Sequence, residues 1–217
     1  MFYTFMRYFV GFIVWLLNGK IDIQNRDILE DKAYIFVGPH RTWWDPIITA
    51  IAVWPLRLCF MAKKELFKNI FLRFILNHMH AFPVDRKDPK PSAIKIPVKY
   101  LKTGKISLLI YPSGTRYSES MKGGVALIEK LAKSEIIPVV YQGPIKFIDL
   151  LKRKKITIRF GEPLEIDHSI KDLKDLSRDI DQKMQKSFSE IDKKINPNFK
   201  YKPDENKLKI EKKKGQI

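Results

Sequence analysis

Hydrophobic and polar positions along the chain follow two periods. Short alternating or continuous apolar runs at 21–23, 34–37, 58–61, 81–84, 106–111, 136–141 and 156–160 predict β-strands. Between them lie stretches with helical spacing. Asp45-Pro46 opens one, since aspartate before a proline is a good helix start. A second runs from Lys63 to Asn77, with Leu66, Phe67, Ile70, Phe71, Phe74 and Ile75 as its apolar face. A third runs from a Ser92 cap towards Lys102, with Pro97 in its middle, and Gly104 ends it. A fourth covers 125–133 after Gly123-Gly124. The last covers 169–191, with Leu173, Leu176, Ile180, Met184, Phe188 and Ile191 on one side. Alternation of strands and helices predicts a layered α/β domain, a mixed β-sheet flanked by helices. No internal repeat and no second domain is evident, and neither GxGxxG nor GxxxxGK[ST] occurs to support a nucleotide fold.

The first eighteen residues depart from this pattern. They carry one charge, Arg7, and aromatic residues at 2, 3, 5, 8, 9, 12 and 15. Such residues go nearly all round a helix, more than one core-facing stripe needs. A helix here would be about 27 Å long, marginal for a bilayer span. The stretch lacks the basic leader and cleavage site of a signal peptide. It predicts a membrane-associated helix, with a buried core helix and a true span as the other readings. The chain therefore divides into a hydrophobic helix at 1–20, a domain at 21–195 and a basic polar tail at 196–217.

The 217 residues include 41 Lys plus Arg against 24 Asp plus Glu, a formal charge of +17. Such a surface prefers polyanions, either nucleic acid or an anionic membrane face. No glycine-aromatic RNA-binding signature, zinc spacing or basic recognition helix accompanies the charge, so nucleic acid is not the expected partner. The lysine-dense tail accounts for part of the charge as a solvated or membrane-adhering segment. The single cysteine, Cys59, excludes an intramolecular disulfide.

Four segments carry candidate chemistry. GPHRTWWDP (38–46) places His40 and Asp45 five residues apart across a strand-to-helix turn. A carboxylate on one ring nitrogen of a histidine fixes the tautomer and frees the other nitrogen as a base. On spacing alone a catalytic pair competes with a helix-capping aspartate and a turn-filling histidine. No serine or cysteine completes a triad, which suits direct attack by a substrate hydroxyl. HAFPVDR (80–86) ends in Arg86, a candidate phosphate clamp beyond a strand end. YPSGTR (111–116) follows the most apolar strand. There Gly114 allows close backbone approach, Thr115 offers a hydroxyl and Arg116 a fork. IIPVVYQG (136–143) has Pro138 inside a strand run.

In this order, the four segments resemble the motifs of the glycerolipid acyltransferase family: HxxxxD, GxxFxxR or GxxPxxR, FPEGTR, and a VPV-like strand. The resemblance covers about residues 1–165. It implies that His40 takes the proton of an acceptor hydroxyl and that Asp45 orients His40. Arg86, Ser113, Gly114, Thr115, Arg116 and Pro138 would then form the substrate-binding positions, with Arg86 on the acceptor phosphate. The implied reaction moves an acyl chain to the sn-2 hydroxyl of 1-acyl-sn-glycerol-3-phosphate, giving phosphatidic acid. The implied donor is acyl-CoA or acyl carrier protein, a co-substrate, with no resident cofactor. The family also holds to the cytoplasmic membrane face through a hydrophobic N-terminal element, peripheral or monotopic, which residues 1–18 resemble in short form.

Two positions depart from the family pattern: Ser113 stands where glutamate is usual, and His80 where glycine is. Both are expected to act on the acceptor side, His80 by adding bulk to the acceptor pocket. Another lysolipid, or a lipid alcohol or amine, is therefore the alternative acceptor.

Overall fold

A computed structural model describes residues 1–85, 88, 90–113 and 124–201, with Phe147 described by its backbone alone. Helix α1 spans Phe2–Asn18, and strands β1 (Asp22–Gln24) and β2 (Ile35–Val37) follow. Then come α2 (Asp45–Ala52), β3 (Arg57–Lys63), α3 (Ile70–His78) and β4 (Ala81–Val84). The second half contains α4 (Ser92–Lys102), β5 (Ile106–Ile110), α5 (Gly124–Ala132), β6 (Ile136–Gln142), α6 (Phe147–Leu151), β7 (Thr157–Phe160) and α7 (Leu173–Ile195).

Among the described residues, seven strands form one sheet in the order β1-β7-β6-β2-β5-β3-β4. Pairing from β6 through β2, β5 and β3 to β4 is parallel, β7 is antiparallel to β6, and β1 is parallel to β7. The sheet is mixed and flanked by helices, as the alternation predicts. Period-2 side-chain alternation divides the core between its two faces. Tyr34 and Phe36 pack with Trp44, Ile48, Leu150 and Val14 on the side of α1, α2 and α6. Ile35 and Val37 pack with Leu101, Ile128, Leu176 and Met184 on the side of α4, α5 and α7. Pro83 is tolerated because β4 is an edge strand.

The largest departure from the sequence pattern is at 63–77. No single helix forms there: a 3₁₀ turn at Lys64–Lys68 breaks at Asn69, whose side chain accepts from Leu72 N at 3.0 Å and starts α3. The apolar face predicted for this helix is not buried, with Ile70 75% and Phe71 74% exposed. Three helix starts also differ. Ser92 is the first residue of α4, not its cap, and Asp45 is the first residue of α2. Asp172 caps α7 by accepting from Lys174 N and Asp175 N, so the helix starts at Leu173 and Ser169 lies outside it. Helix α6 was not foreseen; at five residues it is too short to show a period.

Candidate active site

The loop carrying His40 begins where β2 ends. Gly38 is required there by close packing: a Cβ on it would meet the Val139 carbonyl oxygen of β6 at 2.5 Å. Beyond Pro39 the chain turns around the buried Asp45 carboxylate, which is 1% exposed. Asp45 Oδ2 accepts from Arg41 N at 2.6 Å and from Thr42 N at 2.8 Å, and the Thr42 hydroxyl donates to Oδ1. The carboxylate thus faces back into the loop and organises it, rather than capping the helix it begins.

His40 Nδ1 lies 3.1 Å from Asp45 Oδ2. With its proton on Nδ1, donated to the carboxylate, the imidazole leaves Nε2 as an acceptor. The Tyr111 ring stacks on the imidazole, with centroids 4.4 Å apart. Burial raises the Tyr111 hydroxyl well above its ordinary pKa, and the negative charge of Asp45 adds to the effect.

His40 and Tyr111 both line a cavity of about 830 Å³. Its wall is mainly apolar, including Ile47, Ala50, Phe60, Leu109 and Val125, with Lys63 and Asp85 among its polar members. This is the size range of small-ligand pockets. Met6, Arg7 and Val10 of α1 also face it, so the N-terminal helix contributes a wall. Arg7 fastens that helix to the body. It is buried, its Nη1 donates to Leu56 O at 2.7 Å, and its guanidinium lies 4.2 Å from the Trp54 ring centroid. Cys59 is fully buried within β3, and desolvation pushes its thiol up to about 12, so it is not placed to act as a nucleophile.

The predicted positions fare differently. His40 and Asp45 come together. Ser113 is buried just after β5, beside the cavity-lining Pro112. Pro138 is not on the cavity wall. It lies within β6 in register with Val37, three residues before His40, and its carbonyl accepts from Gly161 N at 2.8 Å. Arg86, Gly114, Thr115 and Arg116 lie outside the described residues.

His80 is not where the sequence reading placed its effect. It stacks on Tyr3 at 5.3 Å, with Tyr100 at 5.7 Å, at the start of β4. His40 and Tyr111 lie at the opposite end of the parallel strands, and His80 itself does not line the cavity, although Met79 and Ala81 on either side of it do. Its φ of 57° falls in the left-handed region, which accounts for a position where glycine is favoured. Burial lowers the pKa of its ring.

The two tryptophans of the loop separate. Trp44 is core, and its Nε1 donates to the Tyr141 hydroxyl at 3.0 Å. Trp43 is 58% exposed and lines the cavity. Tyr111, Arg7 and the α1 wall carried no spacing signal in the sequence. For Tyr111 the available clue was its place directly after the most apolar strand.

A buried carboxylate holds a histidine beside an apolar cavity on a largely parallel α/β sheet, an arrangement suited to an enzyme that uses a histidine base on a partly apolar substrate. The Acyltransferase family profile matches residues 20–142, and the chain belongs to that family and is an enzyme of the acyltransferase class. It is 42% identical over 195 residues to the 1-acyl-sn-glycerol-3-phosphate acyltransferase of Streptococcus pneumoniae (strain ATCC BAA-255 / R6), covering 88% of this chain and 74% of that protein. It is 39% identical over 155 residues to the Bacillus subtilis (strain 168) protein of the same name, covering 70% and 77%. The crystal structure of the 1-acyl-sn-glycerophosphate (LPA) acyltransferase PlsC from Thermotoga maritima shares the fold, with a TM-score of 0.63 at 16% identity over 87% of this chain and 79% of that one.

Proposed function

We propose that the protein transfers an acyl chain from acyl-CoA or acyl carrier protein to the sn-2 hydroxyl of 1-acyl-sn-glycerol-3-phosphate, producing phosphatidic acid. The observation that carries this reading is His40, held by Asp45 at 3.1 Å beside an apolar cavity of about 830 Å³. Two curated relatives bearing the name of this activity support the choice of acceptor.

In the proposed step, His40 Nε2 takes the proton of the acceptor hydroxyl as its oxygen attacks the thioester carbonyl. Asp45 stabilises the imidazolium that results. When the C–S bond breaks, the thiolate leaves and takes the proton back from His40. No covalent enzyme intermediate is needed. The cavity holds an acyl chain out of water. In this reading Arg86, Gly114, Thr115 and Arg116 hold the acceptor phosphate with Ser113 beside them, and Pro138 supports the loop through its register with β2.

We further propose that α1 (within 1–20) lies in the cytoplasmic membrane interface, with 21–195 as the catalytic body and 196–217 as a basic tail whose lysines attract anionic lipid. Phe5, Tyr8, Phe9, Phe12, Trp15 and Leu16 of α1 are exposed. Among the described residues no helix is long and apolar enough to cross a membrane. The exposed face of α3 extends the same surface, since Phe74 meets Phe2 edge-on at 5.6 Å. Basic residues near such a surface contribute about 1 kcal/mol each.

The test is turnover of labelled donor with lysophosphatidic acid. Wild type yields phosphatidic acid, and H40A loses at least a hundredfold in kcat, the scale of acid–base catalysis. Wild-type rates in H40A would refute the mechanism. Ser113, in place of the usual glutamate, favours a second reading in which the acceptor is another lysolipid. A panel of acceptors against one donor separates the two.

A further inference from the structure

Arg41 follows the proposed base, and it does not line the cavity. It is 7% exposed. Its Nη1 donates to Tyr141 O at 2.7 Å and to Asp192 Oδ1 at 2.9 Å, and its Nη2 donates to Asp192 Oδ2. Asp192, near the end of α7, is itself fixed. Gln142 Nε2 donates to its Oδ1 at 2.7 Å and to its backbone oxygen at 3.0 Å. Beyond α7 the chain returns over the same guanidinium: the Phe199 and Tyr201 rings lie 4.8 and 5.6 Å from it, and the Tyr201 hydroxyl donates to Arg41 O at 3.3 Å.

The main chain of Arg41 acts on Asp45. Its N–H is the closer of the two backbone donors to Asp45 Oδ2, at 2.6 Å against 2.8 Å for Thr42. One residue therefore holds the carboxylate through its backbone while a helix 151 positions away holds its side chain. Two parallel bonds from a planar guanidinium fix direction as well as distance, which a lysine cannot do. A buried ion pair contributes little net stability, because desolvating both charges offsets their attraction. Placement is where this pair acts, and misplacing a reacting group by about 1 Å can cost a hundredfold in rate.

We propose that Arg41 is a positioning residue for acyl transfer. Its ion pair with Asp192, closed over by Phe199 and Tyr201, sets the relation of Asp45 to His40 from the C-terminal end of the chain. The proposal rests on His40 and Asp45 being the reacting pair.

The experiment compares R41K, R41Q, D192N and F199A in the full chain, with lysophosphatidic acid and the thioester donor that wild type uses. R41Q and D192N should lower kcat at least tenfold and leave both KM values within twofold, while each also lowers the melting temperature, because removing one partner leaves a buried charge uncompensated. R41K, which keeps the charge and loses the fork, should recover only part of the rate. In a D45N background, R41Q should cost no more than a further twofold, because its effect passes through Asp45. F199A leaves the ion pair in place, and should lower kcat about threefold without moving KM. It also serves as the readout if the Arg41 variants do not fold. Wild-type kcat in R41Q and D192N, or in a folded F199A should those two fail to fold, would overturn the proposal. So would an R41Q defect that multiplies in full with D45N. If H40A is inactive while R41Q is wild type, the positioning role alone fails. If H40A is itself active, the proposed function fails first.

Discussion

The Tyr111 ring lies against the His40 imidazole, centroids 4.4 Å apart and planes inclined by 21°. Asp45 holds the imidazole at one edge and Tyr111 covers one of its faces, so the ring cannot turn without losing both contacts. Y111F preserves the stack and should stay within a few-fold of wild-type kcat. Y111A removes the platform and leaves a hole. Its kcat should fall at least tenfold, and its stability by about 1–3 kcal/mol, less than for a fully buried aromatic because Tyr111 is half-buried. Steady-state kinetics and denaturant titration of both variants check this.

With the acyl chain in the cavity, as proposed, the cavity wall should set chain length. Ala50, on α2, lines the cavity and is 6% exposed. A50L adds three carbons to the wall. Turnover with the longest acyl donors should fall several-fold more than with short ones. Mass spectrometry of products from mixed donors reads the shift, and an unchanged product distribution would contradict it.

The proposed membrane attachment should depend on α3 as well as α1. F71D places a charge on the exposed face of α3, away from the His40 site. Flotation with vesicles containing anionic phospholipid should drop several-fold, while the melting temperature and the rate on detergent-dispersed substrate hold. F9D on α1 should act in the same direction. Flotation of F71D equal to wild type would confine attachment to α1.

Glu129 predicts a pH dependence of stability. It is 3% exposed on α5, and its Oε2 has no partner among the described residues. Burial holds its carboxyl above the usual carboxylate range, with His168 at 4.0 Å opposing the effect. At low pH it is protonated folded and unfolded, and costs nothing. As pH rises above about 4 the unfolded chain releases the proton first, so stability falls until the folded carboxyl has ionised as well. E129Q should therefore raise the melting temperature at pH 7–8, and the gain should vanish near pH 4. Melting curves at the two pH values decide it.

Much of the fold was legible because each element's period reflects its own residues. Strand β5 reads as buried from its apolar run alone, and α7 from the spacing of Leu176, Ile180, Met184 and Phe188. The face of α3 was misread for a related reason. Its periodicity is real, but periodicity records that a face is apolar and not what covers it. Among the described residues no strand or helix lies over Ile70 and Phe71, and that face is exposed.

The site divides in the same way. His40 and Asp45 were identifiable because they are five residues apart, and one turn of chain brings them within hydrogen-bond reach. The grip of Asp192 on Arg41 spans 151 positions, and nothing local in either segment announces it. Likewise, Tyr111 reaches the His40 face only because β5 pairs directly with β2 in the sheet. Local residue order accounts for the period of each element and for the His40–Asp45 contact, closed by one turn of chain. Tertiary structure alone decided which surfaces are covered, which distant side chains hold the loop, and that the N-terminal helix walls the cavity. Those outcomes depend on strand order and helix packing, which bring together residues far apart along the chain.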